Sequence, residues 1–296
     1  MKIFVEITAI MSFLLAATIA QGGESTTKQA TGPKNYWALV IGIADYLYPE
    51  SGLNNLKYAS NDADAIEKML LTQGWSKERI NKVTNKDATR KNLEALINGW
   101  LRKVSTEDML LIYWAGHGYP DLADQRRVYF ACYDTDMKKP WTGYRMDKVV
   151  NTIREHGIRN VVFIADTCHA GKIVTRSDGS KGLSIKPYLD DIPRNANLPP
   201  GWIFMAATEA GRPTVENDHW KNGVFTYCLL RGMSGEAGVN NHGLTDMAHL
   251  RDYLQKTVPR ESRKVSNIEL KPVITTSAGK SNIWDMTFQL GKEAAQ

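Results

Sequence analysis

Cysteine is scarce in this chain of 296 residues: Cys132, Cys168 and Cys228 are the only three. They are too few and too far apart for a disulfide scaffold or for a zinc cage built on paired CxxC ligands, and at least one thiol must stay unpaired within a monomer. Runs of one charge are missing as well. Lys and Arg number 37 against 32 Asp and Glu, a formal charge of +5, but the basic residues are scattered, so no nucleic-acid partner is expected. No glycine-rich phosphate loop follows the first apolar run, which removes the basis for a nucleotide-binding fold, and there is no internal repeat. No apolar stretch reaches the ~20 residues that span a bilayer, so stable membrane insertion is not expected. Core material, by contrast, is ample. With 43% hydrophobic and 23% charged residues the chain reads as one large globular domain and not as a disordered or fibrous one.

The amino terminus stands apart. Met1-Lys2 leads into an apolar stretch from Ile7 to Ala20, and a polar segment rich in Gly, Thr and Ser continues from Gln21 to Lys34. A short positive start, an apolar core and a small-residue exit describe a secretory signal peptide. Residues 1–20 are therefore expected to be a leader, 21–34 a flexible tether and 35–290 the folded domain, placing the protein outside the cell or in a periplasm.

Four runs are apolar almost without interruption: Tyr36 to Ile43, Met109 to Ala115, Val161 to Ala165 and Trp202 to Ala207. Strands buried on both faces have this composition, because helices cover each side of a parallel sheet. Between them the period becomes helical. Leu93, Leu96, Ile97, Trp100, Leu101 and Val104 share one helix face, with Asp87 or Thr89 as the cap, and Met146, Val149, Val150 and Ile153 share another. Helices are also expected over about Lys57–Leu71, Asn222–Met233 and Thr245–Val258, with a closing strand at Lys271–Thr276. Strands alternating with helices predict an α/β sandwich. Residues 172–200 hold Gly, Ser, Asp, Asn and Pro with little periodicity and are read as a long loop.

In open α/β sheets ligands bind beyond the carboxyl ends of the strands. There the second apolar run enters Gly116-His117-Gly118, and the third enters Asp166-Thr167-Cys168-His169. A thiol is a weak nucleophile until a nearby imidazole takes its proton, so His117 and Cys168 are the candidate base and nucleophile. The glycines let the backbone turn and approach a substrate, and Gly118 can offer an unhindered N–H to an oxyanion.

These motifs carry a resemblance. ALVIGIADY (Ala38 to Tyr46), LKYASNDADAI (Leu56 to Ile66), YWAGHGY (Tyr113 to Tyr119), ADTCHAG (Ala165 to Gly171), AATEAGRPTVE (Ala206 to Glu216) and NGVFTYCLLRGM (Asn222 to Met233) resemble the caspase-like cysteine peptidases, in the metacaspase and bacterial orthocaspase branch. In caspases the His lies about 50 residues before the Cys motif, as His117 does here. The resemblance implies a caspase-like three-layer α/β/α sandwich with a mostly parallel central sheet. It also implies peptide-bond hydrolysis by Cys168 and His117, with the N–H groups of Gly118 and Cys168 as oxyanion hole and no organic cofactor. The metacaspase branch carries Asp two residues before the nucleophile, here Asp166, and a carboxylate there favours Arg or Lys before the cut. Asp62 matches a second acidic pocket residue, or else serves the start of a helix. Ala59 stands where metacaspases often have Cys, which implies a pocket of different shape. Asp134 and Asp136 match part of a calcium cluster, but Thr175 stands where a further acidic residue belongs, so the two are read first as a solvated loop and calcium activation as the alternative. No metal ligand is assigned. Caspase relatives are processed after the nucleophile, which makes 172–200 a candidate self-cleavage loop with Arg176 and Lys181 as preferred sites. The reading is of an endopeptidase acting on peptide or protein substrates; the rival is a catalytically silent caspase-like module that binds or regulates.

Overall fold

The structure, a computed structural model, describes residues 33–121, 127–169, 201–207, 215–276 and 282–288, apart from the side chains of Cys168, His169, Asn282 and Ile283. The expected leader at 1–20, nearly all of the tether and the loop at 172–200 lie outside the described residues.

In chain order these residues form β1 (Tyr36–Gly42), α1 (Ala59–Thr72), β2 (Ile80–Thr84), α2 (Arg90–Asn98), β3 (Met109–Pro120), β4 (Val128–Phe130), β5 (Tyr144–Arg145), α3 (Met146–Glu155), β6 (Asn160–His169), β7 (Trp202–Ala206), β8 (Glu216–Asn217), β9 (Asn222–Gly223), α4 (Val224–Arg231), α5 (Met247–Val265) and β10 (Val273–Thr276). The central sheet has the order β10-β7-β6-β3-β1-β2, with β4 and β5 attached to β3. The strands from β2 to β7 along that order are parallel neighbours, while β10 closes the edge antiparallel to β7.

Alternate residues of each strand enter separate cores. Leu39, Ile41, Leu110, Ile112, Trp114, Phe163 and Phe204 pack with Leu93 and Ile97 of α2 and with Val149 and Ile153 of α3. Ala38, Val40, Leu111, Tyr113, Ile164 and Met205 pack with Ile66 and Leu70 of α1, Phe225 and Leu229 of α4, and Leu250 and Leu254 of α5. Both faces of the sheet are covered, which is why the strands read as unbroken apolar runs. The architecture is the three-layer, mostly parallel α/β/α sandwich that the sequence predicts.

Several boundaries differ. The face from Leu93 to Val104 is continuous in burial, but the α-helix ends at Asn98 and a 3-10 turn, Trp100–Lys103, carries the rest past Gly99. Glycine is about 1 kcal/mol less favourable than alanine inside a helix, so the change of pitch falls there. Thr89, not Asp87, caps α2 by accepting from the Asn92 N–H. Asp246, not Thr245, caps α5, which runs through Pro259 to Val265 because Thr257, Val258, Glu261 and Ser262 continue its buried stripe. At the other end of the 222–233 segment, Asn222-Gly223 pairs as a strand before α4 begins.

Candidate active site

The sheet opens where two strands leave it. β1 pairs with β3 only as far as Gly42 opposite Ala115, and β7 pairs with β6 only as far as Ala206 opposite Ala165. β3 and β6 continue together for three more residue pairs beyond Ala115 and Asp166: Gly116 with Thr167, His117 with Cys168 and Gly118 with His169. The two sequence candidates are thus brought into register as direct partners on adjacent strands. One expectation is corrected: His117 and Cys168 do not lie in loops past the strand ends but inside the extended ladder, because β4 pairs with Gly118–Pro120 and prolongs β3. The Cys168 side chain lies outside what the structure describes.

His117 is 7% exposed, and its position is fixed by three contacts. Its backbone N–H donates to the Tyr46 hydroxyl at 2.8 Å, the two rings lie 5.1 Å apart, and its Nε2 is 2.7 Å from the Asn54 carbonyl oxygen. Gly116 is needed for this packing, since a Cβ there would stand 2.9 Å from the Tyr46 hydroxyl. A carbonyl can only accept, so Nε2 carries the proton and the neutral ring presents a lone pair at Nδ1. Nδ1 is buried with no hydrogen-bond partner among the described residues. Burial, the larger effect, holds the imidazole below its usual range against the opposing bond to Asn54. The ring is therefore neutral near pH 7, with one nitrogen anchored and the other available as a base. Asn54 was not legible in advance: it acts through a backbone carbonyl, which every residue has.

Asp166 and Asp62 meet beside this ladder, both buried, at 5% and 3% exposure. Asp62 sits in the first turn of α1, and its Oδ1 accepts from the Asn222 Nδ2 at 2.8 Å and the Gly223 N–H at 3.0 Å. Asp166 Oδ2 accepts from the Thr226 hydroxyl at 2.6 Å. Both carboxylates therefore lean on the amino end of α4, where unpaired N–H groups and the helix dipole favour negative charge. Gly223 makes room for them: a Cβ at that position would lie 3.0 Å from Asp166 Oδ2 and 3.2 Å from Asp62 Oδ2. Neither acid has a Lys, Arg or His in ion-pair contact among the described residues. Burial, and for Asp62 next the charge of Asp166, pushes both carboxyls above the ordinary range, with Glu216 adding to each. The donors from Asn222, Gly223 and Thr226 offset only part of this. Glu216 also holds the neighbourhood together, its carboxylate accepting from the N–H groups of Lys57 and Tyr58 just before α1.

The other candidates have structural roles in this geometry. Asp134 Oδ1 accepts from the Arg90 N–H at 2.8 Å and Asp136 Oδ1 from the Lys138 N–H at 2.9 Å, so both carboxylates shape backbone. Among the described residues no group of three or more His, Cys, Asp or Glu is placed to hold a metal ion. Cys132 and Cys228 are buried; burial raises the first thiol well beyond its usual range and pushes the second up to about 12, where a thiolate is inaccessible at neutral pH. No helix among the described residues is long and apolar enough to cross a membrane.

A family model described as Caspase domain matches residues 35–280. The chain belongs to the caspase-domain family. Membership supports a cysteine peptidase in general, and the sheet of this caspase domain has the order and helical cover described above. Metacaspase-1 of Candida albicans is 26% identical over 179 residues, which cover 50% of this chain and 38% of that protein, so the match spans well under half of the relative's length. A solved protein of Geobacter sulfurreducens superposes with a TM-score of 0.59 at 15% identity, covering 86% of this chain and 99% of that one, a likeness of fold alone. Caspase-1 of Spodoptera frugiperda superposes with a TM-score of 0.49 at 15% identity, over 83% of this chain and 88% of that one.

Proposed function

We propose that this caspase domain is an endopeptidase that cuts after Arg or Lys, with Cys168 as nucleophile and His117 as its base. The observation that carries the reading is the pair of buried carboxylates Asp62 and Asp166, which have no cation in contact among the described residues, Asp166 standing two residues before Cys168 on β6. An unpaired carboxylate is costly to keep out of water, and a second beside it doubles the demand. A substrate guanidinium or ammonium supplies the missing charge, whereas an acidic side chain meets two like charges.

The chemistry follows from the anchored imidazole. The Cys168 thiol gives its proton to His117 Nδ1, and the thiolate attacks the scissile carbonyl carbon. The resemblance assigns the oxyanion to the N–H groups of Gly118 and Cys168; one such donor is typically worth about 2.7–4 kcal/mol. His117 then returns the proton from Nδ1 to the leaving amine while Asn54 keeps hold of Nε2. Water, deprotonated at the same nitrogen, hydrolyses the acyl-enzyme. No third side-chain carboxylate is required, because the backbone carbonyl of Asn54 orients the ring.

A panel of fluorogenic peptides that differ only in the residue before the cut tests this, with Cys168→Ala as the blank. Turnover of Arg and Lys peptides and none of Asp peptides is expected; equal turnover of Arg and Asp peptides would refute the pocket. The same preparations test export and self-processing, which the sequence supports. The mature protein should begin near Gln21, and wild type but not Cys168→Ala should be cut within 172–200, first at Arg176 or Lys181. Identical fragments from both proteins would assign that cut to a contaminating protease.

A further inference from the structure

The hydroxyl of Thr226 stands between two buried groups at equal range. It lies 2.6 Å from Asp166 Oδ2 and 2.6 Å from the phenol oxygen of Tyr113, and both Thr226 and Tyr113 are fully buried. A hydroxyl owns one proton. If Asp166 is ionised it can only accept, so Thr226 spends its proton there and Tyr113 must donate into Thr226. A proton on Asp166 Oδ2 would reverse the chain and leave the phenol O–H aimed at nothing, since Thr226 is its sole hydrogen-bond partner among the described residues. A buried donor without an acceptor is expensive, so the chain runs one way.

We infer that Tyr113 and Thr226 form a directional hydroxyl relay that favours the charged form of Asp166 and fixes its orientation, making Thr226 a positioning residue for recognition of the substrate cation. The inference rests on the reading of Asp166 as a wall of the first substrate pocket. The relay occupies Oδ2, and the Thr226 backbone N–H is a second donor to the same carboxylate. It comes from two elements that share no sequence motif, the middle of β3 and the first turn of α4. It works against burial and the charge of Glu216 on β8, which both disfavour a charged Asp166, while Asp62 on α1 is the neighbour that Asp166 itself pushes up.

The test compares full-length wild type, Thr226→Val, Thr226→Ser, Tyr113→Phe and Asp166→Asn on an Arg-terminated fluorogenic peptide, with kcat and KM measured across pH. Thr226→Val keeps the shape of the side chain and removes the hydroxyl; KM should rise about tenfold, the scale of one hydrogen bond to a charged group, with kcat less affected. The acidic limb of kcat/KM should move to higher pH as the carboxylate becomes easier to protonate, while the part of that limb due to His117 stays common to all variants. Thr226→Ser should restore both quantities, and Tyr113→Phe should shift them the same way by a smaller factor. Thermal melting identifies any variant that fails to fold, in which case Tyr113→Phe carries the test alone. An unchanged KM and acidic limb in Thr226→Val, or equal losses in the Val and Ser variants, overturns the relay. If Asp166→Asn is impaired and Thr226→Val is not, the pocket stands and the relay falls. If Asp166→Asn cleaves the Arg peptide like wild type, the pocket reading itself fails and takes the relay with it.

Discussion

β3 begins beside Asp108 and, at its far end, runs past Asp166 and Asp62; carboxylate is buried at both places, and the surroundings differ in kind. Asp108 accepts from the Asn35 Nδ2 at 2.9 Å, the Trp37 indole N–H at 3.0 Å and the Ser105 N–H at 2.9 Å. Burial alone would raise its pKa, but these donors, the Ser105 N–H foremost, hold it below the ordinary range. At the other end two acids share one enclosed site, their donors fall short, and both carboxyls are pushed up. The first arrangement stabilises the free protein, tying the segment before β1 to the base of the sheet. The second leaves an electrostatic demand that nothing among the described residues meets, as is common where a ligand completes a site. One strand thus carries a stabilising end and an end whose electrostatic demand is unmet among the described residues.

The widest separation between the two ends should come from the proposed dyad. Cys168→Ala and His117→Ala are each expected to lower peptide cleavage by at least about a thousandfold, the scale of losing a nucleophile or its base, while melting stays close to wild type. Cleavage by Cys168→Ala within tenfold of wild type would end the assignment, and Cys132→Ala and Cys228→Ala should remain active. Next in size is the stabilising end. Asp108→Ala strands three donors and should cost about 2–3 kcal/mol of stability, read by urea denaturation, with kcat/KM per folded molecule unchanged. A large loss of turnover without a loss of stability would break the comparison. Smaller again is Asp166→Asn, which should lower kcat/KM on Arg peptides by about tenfold or more without the stability cost seen at Asp108.

The proposed reactive end left the stronger signals of the two in sequence, and the reason is chemical. In the proposed function His117, Cys168 and Asp166 act through their side chains; they sit against glycine or beside an apolar run, in motifs that resemble the caspase-like peptidases. Tyr113 and Thr226 fall inside two of those motifs but carry no signal of a role of their own, and Asn54 lies outside them all. Asn54 works through its backbone, and Tyr113 and Thr226 lie inside apolar stretches where an aromatic and a β-branched residue read as core. The four central strands were visible because both faces are buried, whereas β2 and β5 were missed. In β2 only Ile80 and Val83 are buried, a spacing that is neither continuous nor alternating, because an edge strand packs on one flank alone. β5 is two residues long and exists only through its pairing with β4. The expected helix end at Val258 is passed as well, because the buried stripe on α5 outweighs the one hydrogen bond that Pro259 removes.

The finest distinction between the two ends is the sign of their pH dependence. A carboxyl whose folded pKa is raised keeps its proton where the unfolded chain has already lost it. Its contribution to stability is complete below about pH 4, the unfolded value, and is lost as pH rises through the folded pKa. Asp62 and Asp166 should therefore make the free protein less stable on going from acid toward neutral pH. Asp108, whose pKa is depressed, contributes in the opposite sense: its share is present above about pH 4 and is lost as pH falls through its folded value. His117, with a lowered pKa, also loses stability on acidification, below about pH 6.5. Replacing one acid at a time separates these slopes. Asp166→Asn removes a charge that costs stability at neutral pH, so its stability relative to wild type should improve between pH 4 and pH 7 by on the order of 1 kcal/mol. Asp108→Asn should do the reverse, its deficit growing over the same interval. Urea denaturation at pH 4, 5.5 and 7 on the two variants and wild type reads both trends. Parallel profiles for the two variants would mean that the ends of β3 do not differ in the way the hydrogen bonds imply.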